Sequence, residues 1–552
     1  MTATTSPNPQ PTGVLRSGQA APLVLAAVLL VFIVLGHDSR RAAQMAALAL
    51  PLLVWVAWPL RSAGAHRLRA VLVWALAMLF VLDGAVRHYL MASYQAAPDS
   101  AMVLGAAANT QSGEGIEYVQ AYWPSLLWRM LAVVVGAGLL FVAVRSAARA
   151  ADGAPSRWLS RRVALAVVAL LLVVAGVAHA SKPWRRMHPA LFWSQWLDSA
   201  WQLRAGWTQQ RALQRHAHER ARALAPTLAS SAPATVMLVV GESVNRDNLA
   251  LYGYGRATSP RLLADKARLG EQMLVLRNAW SVDASTLPAL QNLFRFGQPE
   301  RDDPPHLLAL ARAAGYKVWW VGNQDDMALE HRHARLADEV ELINRRTGRG
   351  ADMLDGELLD EVERALRDPA PRKLVVVHLM GAHPHYKLRH PAGANPFAGV
   401  DDAVEQAMRR AGRSGWTREE RQEYDAALLY HDAVLSDLLG LLRGHVDPAG
   451  RGAWMYLSDH GQEVGHEVDR TGHSAITAAG YRIPAMIWRS DMPAGAASAL
   501  ADRPFRGDWG GWAMADLLGI DWAGRQAERS VLGADYHWQA PKLGAQIASF
   551  TR

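Results

Sequence analysis

The chain has 552 residues, a formal net charge of +8 and no cysteine. A chain of this length exceeds one compact core, so we expect two or more domains. The absence of cysteine excludes a cysteine nucleophile, a thiolate metal ligand and stabilisation by disulfides. Much of the positive charge is arginine beside apolar segments, which indicates membrane topology and anionic lipid rather than nucleic acid.

Residues 1–19 form a Pro- and Ser/Thr-rich tail that we expect to be disordered and cytoplasmic. Apolar segments long enough, or nearly so, to cross a hydrocarbon layer follow at about 20–36, 42–60, 68–82, 125–144 and 163–180. The first could instead belong to a signal peptide, but no small-residue cleavage site follows it. Residues 20–182 are therefore predicted to be a transmembrane domain with five spans.

Loop charge predicts the orientation of these spans. The loops after the second and fourth segments are rich in arginine, as cytoplasmic loops are. The loop between the third and fourth segments is acidic, as expected of a translocated loop. An odd number of spans that starts inside leaves everything after residue 182 outside. The sequence thus predicts a multi-pass protein of a bacterial inner membrane, with the domain that follows the last span in the periplasm.

Residues 183–234 connect the apolar region to the rest of the chain. Tryptophan alternates with arginine and glutamine over 183–224, which predicts an amphipathic helix on the outer face of the membrane. An ordinary helix packed against the soluble domain is the alternative. Residues 225–234, rich in Pro, Ser and Ala, are predicted to be a linker.

Residues 235–552 alternate apolar runs with helical patterns. The runs predicted to be strands lie at 235–240, 317–321, 373–379, 453–458 and 483–488. The helical patterns between them lie at 304–314, 352–366 and 417–443. This alternation predicts an α/β domain with a mostly parallel sheet and helices on both faces. The Gly- and charge-rich stretch 393–415 is predicted to be an exposed insertion.

Two of the predicted strands lead into side chains that bind metals. Glu242 follows the first strand, and Asp459-His460 follows the strand at 453–458. Ligands of open α/β sheets bind at the carboxyl ends of strands, and carboxylate and imidazole groups suit a divalent cation such as zinc. Taken alone, each group also has a purely structural explanation. Together they predict one metal site built from distant segments.

Three histidines lie within eight residues at the end of the strand at 373–379 and in the loop after it: His378, His383 and His385. A lone histidine at a strand end is more often structural, but a cluster beside Gly and Pro predicts a loop that lines a site. His473 follows the Asp-His pair closely, although a surface loop would also explain it.

A hydroxyl nucleophile is suggested by Ser285-Thr286 at the start of an apolar-periodic helix, with Pro288 in its first turn. For an isolated Ser-Thr pair, helix capping alone is the better explanation. A hydroxyl at a helix N-terminus also faces a natural anion site, however, and a metal would help to ionise it.

The order of these motifs resembles that of a known family. Residues 239–260 read Val-Val-Gly-Glu-Ser-Val-Asn-Arg-Asp-Asn-Leu-Ala-Leu-Tyr-Gly-Tyr-Gly-Arg-Ala-Thr-Ser-Pro, which is similar to the signature of membrane-anchored phosphoethanolamine transferases of the sulfatase/alkaline-phosphatase superfamily. Blocks at 378–391 and 458–464 follow in the same order. The resemblance covers 235–490, fits a five-span anchor, and is closest to the branch that modifies the lipopolysaccharide core heptose.

The resemblance implies a role for each of several residues. It makes Glu242, Thr286, Asp459 and His460 a tight zinc shell, with Thr286 as the nucleophile that becomes phosphoethanolaminated. It assigns His383, His473 and His378 to the donor phosphate or a second metal. Thr110 and Glu114, in the acidic loop, are spaced like a pair that contacts the donor headgroup. A companion asparagine is replaced there by Ala106.

The activity implied by the resemblance is transfer of phosphoethanolamine from phosphatidylethanolamine to a lipopolysaccharide sugar or phosphate, on core heptose or lipid A, through a covalent threonine intermediate. The implied cofactor is one tight Zn²⁺, with a second zinc open and Mn²⁺ or Mg²⁺ as alternatives. The partners are membrane lipid, the lipid donor and a lipopolysaccharide or lipid-linked glycan acceptor. A phosphoglycerol transferase acting on a periplasmic glycan and a non-catalytic membrane scaffold are the alternatives, and the oligomeric state is not set by the sequence.

Overall fold

The fold was analysed in a computed structural model of the chain, which describes residues 17–58, 60, 62–110, 112–150, 162–208, 211–297, 304–324, 327–345 and 353–551. The chain divides into two compact units. The first consists of Met1–Leu104 and Tyr122–Ala200, and the second of Gly105–Ala121 and Trp201–Arg552. The second unit therefore includes a short piece of the acidic loop that the sequence places within the transmembrane domain.

The N-terminal part of the chain is helical. Its α-helices are α1 Ser17–Gly36, α2 Ser39–Ala57, α3 Ala63–Tyr94, α4 Ala101–Asn109, α5 Ser112–Ala150, α6 Arg162–Ala180, α7 Lys182–Arg185 and α8 Pro189–Thr208. Asp38 accepts a hydrogen bond from the Arg41 amide and caps α2, and Ser62 caps α3 in the same way. Within the first unit, the buried Asp83 carboxylate accepts hydrogen bonds from Arg87 at 2.8 Å and from the Trp193 indole at 2.9 Å.

Two helices among the described residues are long and apolar enough to cross a membrane, Ala63–Tyr94 and Gly115–Ala148. Two further apolar helices, Ala21–Gly36 and Val168–Ala180, are shorter. Helices α1, α2, α3, α5 and α6 coincide with the five apolar segments read from the sequence. Since only two of them pass the test of length and composition, the count of five spans stays a prediction.

The second unit contains the β-structure. The strands in the described residues are β1 Thr227–Leu228, β2 Ala234–Gly241, β3 Met273–Leu276, β4 Asn278–Trp280, β5 Lys317–Gly322, β6 Glu339–Leu342, β7 Arg372–His378, β8 Arg451–Ser458, β9 Glu463–Val464, β10 Thr471–Gly472, β11 Ala485–Arg489, β12 Pro504–Arg506 and β13 Ile520–Asp521. The helices of this unit are α9 Arg211–Ala223, α10 Pro260–Leu269, α11 Thr286–Phe294, α12 Leu307–Ala313, α13 Met327–Arg332, α14 Leu359–Leu366, α15 Ala403–Arg410, α16 Gly415–Gly444, α17 Ala496–Leu500 and α18 Gly510–Leu518.

A seven-stranded sheet, in the order β3-β11-β8-β2-β7-β5-β6, forms the centre of the described part of this unit. Strand β2 pairs in parallel with both β8 and β7, and β5 pairs in parallel with β7 and β6. Strand β11 is antiparallel to both of its neighbours. The sheet is therefore mixed, but only β11 runs against the others, which refines the predicted mostly parallel sheet.

Both faces of the sheet are covered by helices, as the sequence predicted. In β2, Val236, Leu238 and Val240 belong to one apolar core, which also contains residues of α11, α12 and α18. Met237 and Val239 belong to a second core with residues of α14 and α16. Successive side chains of a strand point to opposite faces, so a strand buried on both faces is apolar throughout.

The connection at 183–234 differs from the single helix and linker that the sequence suggested. It consists of α7, α8 and α9, followed by β1, which pairs with β13. Ala221 of α9 is fully buried in a core of the second unit, so α9 fits the alternative of a helix packed on the soluble domain. The stretch 393–415 is mostly exposed, as expected, and contains α15.

A buried carboxylate ties the block at 239–260 to α16. Asp425 accepts hydrogen bonds from Asn248 Nδ2 at 2.9 Å, from the Tyr254 hydroxyl at 2.7 Å and from Arg256 Nη1 at 2.8 Å. Its side chain is fully buried, as is most of the Arg256 side chain. Many of the polar residues in this block therefore hold the fold together rather than face a site.

Replacing Asp425 with Ala should destabilise the second unit strongly. Removal of the carboxylate leaves Asn248, Tyr254 and Arg256 Nη1 without their buried acceptor, although Arg256 keeps its ion pair with Asp402, so we expect a loss of about 1–3 kcal/mol in free energy of unfolding. Denaturant unfolding followed by tryptophan fluorescence measures the change. Asp502→Ala is the matched control, because its ion pair with Arg277 is exposed at both ends, and it should change the same quantity by less than about 1 kcal/mol. Equal effects of the two substitutions would contradict this role for Asp425.

Candidate metal centre

At the ends of two neighbouring parallel strands lies a cluster of side chains that could hold a metal ion. Gly241 at the end of β2 lies opposite Ser458 at the end of β8, so Glu242 and Asp459-His460 leave the sheet at the same level. One donor atom from each of Glu242, Asp459 and His460 lies within 4.8 Å of the other two. All three side chains are buried. The strand ends thus form the convergent site that the sequence predicted at this edge.

Thr286 completes this cluster from a different element. It is the first residue of α11, and its hydroxyl donates a hydrogen bond to Glu242 Oε2 at 2.9 Å. The same Oγ1 atom lies 3.5 Å from His460 Nε2. Ser285 occupies the cap position but makes no side-chain capping bond. The structure therefore places the Thr286 hydroxyl, at a helix N-terminus, among the three metal-binding groups.

The hydrogen bonds around Asp459 and His460 leave one atom of each group for a cation. Asp459 Oδ1 accepts from the backbone amides of Ser243 and His460, at 3.1 and 2.7 Å. Asp459 Oδ2 is buried and has no hydrogen-bond partner among the residues that the structure describes. His460 Nδ1 lies 2.7 Å from the Gly461 carbonyl oxygen, to which it donates, so Nε2 faces the carboxylates. Such a second layer is typical of metal ligands, and the residues present fit a zinc ion.

Proximity and burial shift the pKa values of these groups. Burial opposes ionisation of Glu242, but the hydrogen bond and charge of His460 hold the pKa of Glu242 well below its usual range. Burial and the charge of Glu242 raise the pKa of Asp459 to about 8. Burial alone would lower the pKa of His460, but Asp459 and Glu242 raise it to about 9. Without a cation, the cluster therefore retains protons at neutral pH.

The loop that follows β7 is held against the centre by backbone hydrogen bonds. Asp355 is buried and accepts from the amides of Met380 and Gly381, both at 2.8 Å. Gly381 has a φ of 54°, and a Cβ there would approach the carbonyl oxygen of Glu242 to 2.7 Å. Only glycine fits such a close approach with this backbone conformation. Asp355 and Gly381 thus hold this loop beside Glu242, and neither residue was identified from the sequence.

His383 and His473 are brought to the same centre. The ring centroids of His460 and His473 are 4.5 Å apart at an interplanar angle of 78°, and those of His383 and His473 are 6.4 Å apart. Burial lowers the pKa of His383 to about 4 and that of His473 well below its usual value. Both imidazoles are therefore neutral at neutral pH. Neutral rings can bind a second cation or hydrogen-bond a phosphate oxygen.

His378 takes a different position, at the end of β7 in register with Val240. It packs edge-on against Trp320, with ring centroids 5.8 Å apart, and burial lowers its pKa to about 4. Its Nε2 atom has no hydrogen-bond partner within the described ranges. His378 thus belongs to the sheet that supports the site, and its proposed contact with phosphate or metal stays a prediction.

The structure does not test the predicted contact of Thr110 and Glu114 with the donor headgroup. Thr110 is exposed, and its hydroxyl donates to the Ala106 carbonyl oxygen at 2.8 Å. The side chain of Glu114 lies outside the part of the chain that the structure describes. Sequence analysis did not identify Ser281, whose hydroxyl donates to the Asp459 carbonyl oxygen at 2.6 Å and helps to fix the segment before Thr286.

Comparison with known families matches both parts of the chain. Residues 234–503 match the family described as Sulfatase, and residues 63–188 match the family described as Phosphoethanolamine transferase EptA/EptB. Phosphoethanolamine transferase EptC of Escherichia coli strain K12 is 31% identical over 323 residues, which cover 55% of this chain and 54% of that protein. Phosphoethanolamine transferase EptA of Helicobacter pylori is 28% identical over 265 residues, covering 46% and 48%. The chain thus matches about half the length of these curated relatives.

Solved structures show the same fold. The C-terminal periplasmic domain of EptC from Escherichia coli, in complex with Zn, is 29% identical with a TM-score of 0.52, and the match covers 57% of this chain and 90% of that domain. The integral membrane protein lipooligosaccharide phosphoethanolamine transferase A from Neisseria meningitidis has a TM-score of 0.56, covering 93% and 96%. At 18% identity, the second likeness shows the fold alone.

The fold and the centre define a protein of the sulfatase type with a helical N-terminal region. With both family matches and these relatives, the chain resembles phosphoethanolamine transferases in both of its parts. The resemblance seen in the sequence is therefore confirmed.

Metal binding at this centre should release protons. At pH 7 the metal-free site holds a proton on Asp459 and one on His460, because their pKa values are about 8 and about 9. Both protons must leave before Asp459 Oδ2 and His460 Nε2 can bind a cation, so the affinity for zinc should weaken as the pH falls from 8 to 6. Calorimetric titration in buffers of different ionisation enthalpy should show a net release of protons on binding at pH 7. An affinity that does not change over this pH range would contradict the assigned ligands.

Proposed function

We propose that this protein transfers phosphoethanolamine from phosphatidylethanolamine to a sugar or phosphate of lipopolysaccharide, on core heptose or lipid A, through a covalent intermediate on Thr286. The observation that carries the proposal is the position of the Thr286 hydroxyl, 2.9 Å from Glu242 Oε2 and 3.5 Å from His460 Nε2. A threonine that only capped a helix would not need to donate to a buried carboxylate in a metal cluster.

Glu242, Asp459, His460 and Thr286 are the proposed zinc ligands, and the zinc complex of the related EptC domain supports that choice of metal. When bound, zinc would supply a positive charge that stabilises the ionised hydroxyl and the negative charge that develops at the phosphoryl group. Mn²⁺ and Mg²⁺ are less suited to a donor set that includes an imidazole. A second zinc at His383 and His473 remains part of the proposal.

The first half-reaction begins with Thr286 Oγ1, which forms a bond to the phosphorus of phosphatidylethanolamine. The bond between phosphorus and the glycerol oxygen breaks, and diacylglycerol leaves with that electron pair and takes up a proton. The hydroxyl proton of Thr286 leaves along its hydrogen bond to Glu242 Oε2 and is the proton that the departing glycerol oxygen takes up. His383 and His473 hold the phosphoryl oxygens, either directly through their neutral rings or through the second zinc.

In the second half-reaction, an oxygen of the acceptor attacks the phosphorus of the Thr286 adduct. The bond between phosphorus and Thr286 Oγ1 breaks with its electron pair on Oγ1, and the proton that the acceptor oxygen loses restores the threonine hydroxyl. Each step is a displacement at phosphorus, so most of the rate must come from positioning and electrostatics. The names of relatives, such as Kdo(2)-lipid A phosphoethanolamine 7''-transferase of Escherichia coli, support a lipopolysaccharide acceptor.

A location in the inner membrane, with the second unit in the periplasm, follows from this chemistry and from the loop charges. The donor and a lipopolysaccharide precursor are both membrane lipids, so an anchored enzyme meets them at high local concentration. The helices Ala63–Tyr94 and Gly115–Ala148 support an anchor. The periplasmic domain of the related EptC and the integral membrane protein from Neisseria meningitidis support the same placement.

Replacing Thr286 with Ala should abolish transfer in the purified full-length protein, with a loss of at least about a thousandfold, because the attacking oxygen is removed. The assay follows diacylglycerol release from phosphatidylethanolamine and the mass of the acceptor. Intact-protein mass spectrometry, in the absence of acceptor, should detect phosphoethanolamine on the unaltered protein and none on the variant.

Thr286→Ser is the matched control, since it keeps the oxygen and should retain measurable transfer and the adduct. Full transfer activity in Thr286→Ala would overturn the proposed intermediate. An adduct with the mass of phosphoglycerol would instead assign the donor as phosphatidylglycerol. An adduct on neither protein, together with no diacylglycerol release, would favour a non-catalytic scaffold.

A further inference from the structure

A short segment of the acidic loop, Gly105–Ala121, belongs to the second unit rather than to the helical unit on either side of it in sequence. We call it the cover segment. It includes the end of α4 and the start of α5. Helix α5 continues from there to Ala150 and contains the stretch Gly115–Ala148, which is long and apolar enough to cross a membrane. The cover segment thus connects the catalytic unit directly to a candidate membrane span.

One end of the cover segment lies against the helix that carries the proposed nucleophile. A Cβ at Gly105 would lie 3.5 Å from Leu287 Cδ1, and Leu287 follows Thr286 directly. Asn109 Oδ1 accepts a hydrogen bond from the Ala328 amide at 3.2 Å, in the first turn of α13. This end of the segment therefore lies beside Leu287, the residue after Thr286, and a hydrogen bond joins it to α13.

The other end of the cover segment is fixed by an ion pair. Glu117 Oε2 accepts from Arg389 Nη2 at 2.9 Å, and the two side chains are 13% and 3% exposed. The Arg389 Nε atom lies 3.4 Å from the His383 carbonyl oxygen, to which it donates. Beside this pair, the ring of Tyr118 meets the ring of His385 edge-on, with centroids 6.0 Å apart. One guanidinium thus joins the cover segment to the loop that carries His383.

The ion pair between Glu117 and Arg389 contributes little to the stability of the fold. A charge pair with so little exposure loses most of its hydration, and its net contribution to stability is close to zero when the Coulomb attraction only offsets that loss. A guanidinium carries several donors in a fixed plane, however, and here Nη2 reaches Glu117 while Nε reaches the His383 carbonyl oxygen, so Arg389 is well suited to fix the relative position of two segments. Here the two segments are the start of a candidate membrane helix and the loop beside the metal centre.

We propose that Glu117 and Arg389 are positioning residues for the lipid donor, and that their ion pair holds the cover segment against the loop that carries His383, where the segment helps to place the donor headgroup for attack by Thr286. The inference rests on the proposed function. It deepens that function by separating two tasks: the metal centre acts on any phosphoethanolamine diester, whereas the ion pair matters only when the diester is attached to a membrane lipid.

The test compares two donors in the full-length protein in mixed micelles. One donor is phosphatidylethanolamine, and the other is the water-soluble 4-nitrophenyl ester of phosphoethanolamine, whose nitrophenolate is measured by absorbance. Glu117→Gln keeps the shape of the side chain and removes its charge. The ratio of kcat/KM for the lipid donor to kcat/KM for the soluble donor should fall about tenfold, through KM for the lipid, as expected when a charge-assisted hydrogen bond is lost.

Two further variants separate positioning from folding. Arg389→Lys keeps the positive charge but not the forked geometry, and it should lower the same ratio. The double variant Glu117→Arg with Arg389→Glu restores an ion pair of reversed sense and should recover part of the ratio lost in Glu117→Arg alone. Arg367→Ala, which breaks an exposed ion pair with Glu363 on α14, is the control and should leave the ratio as in the unaltered protein.

A ratio that is unchanged in Glu117→Gln, with KM for the lipid also unchanged, would overturn the positioning role. An equal loss with both donors would also overturn it, because a structural defect affects both. If the unaltered protein uses neither donor, the proposed function fails, and that outcome is distinct from failure of this inference.

Discussion

The burial of two carboxylates side by side is the constraint on which the site depends. Glu242 and Asp459 are almost fully buried, and their oxygens share a cluster with His460. Two like charges this close, removed from water, repel strongly unless a cation or a proton lies between them. Burial, together with the charge of Glu242, accordingly raises the pKa of Asp459. A divalent ion removes the conflict, which is the physical reason to read this cluster as a metal centre.

The sheet makes this arrangement possible because it supplies the two carboxylates from neighbouring parallel strands. Strands β2 and β8 end at the same level, so no long loop is needed to bring their next residues together. The orientation of each ligand then depends on groups that carry no chemistry of their own. The amide of Ser243 and the hydroxyl of Ser281 both hydrogen-bond Asp459, and Gly381 permits the histidine loop to touch Glu242. A site of this kind is only as accurate as these supporting contacts.

The central strands were predictable from the sequence because both of their faces are buried. Their uninterrupted apolar runs predicted β2, β5, β7, β8 and β11 to within a few residues. The edge strand β6, Glu339–Leu342, was missed because it is partly exposed and alternates charged with apolar residues, which no apolar run reveals. β3 was missed because it spans only Met273–Leu276. Glu242, Asp459 and His460 were predictable because strand ends are visible in a sequence. Asp355 was not, since its role depends on loop amides that come close only in the fold.

The packing of residues 105–121 could not be predicted from the composition of the chain. Hydropathy assigned residues 20–182 to a single transmembrane domain, because a polar stretch between two apolar ones is read as a loop of the domain around it. Residues 105–121 pack with the catalytic unit instead. Their membership is decided by long-range contacts, such as that between Glu117 and Arg389, which are 272 positions apart in the chain. No local property of either residue signals the pairing, since an acidic residue in a translocated loop is expected in any case. A segment can therefore have the composition of a membrane loop and still pack with the unit that carries the candidate metal centre, and only the fold distinguishes the two.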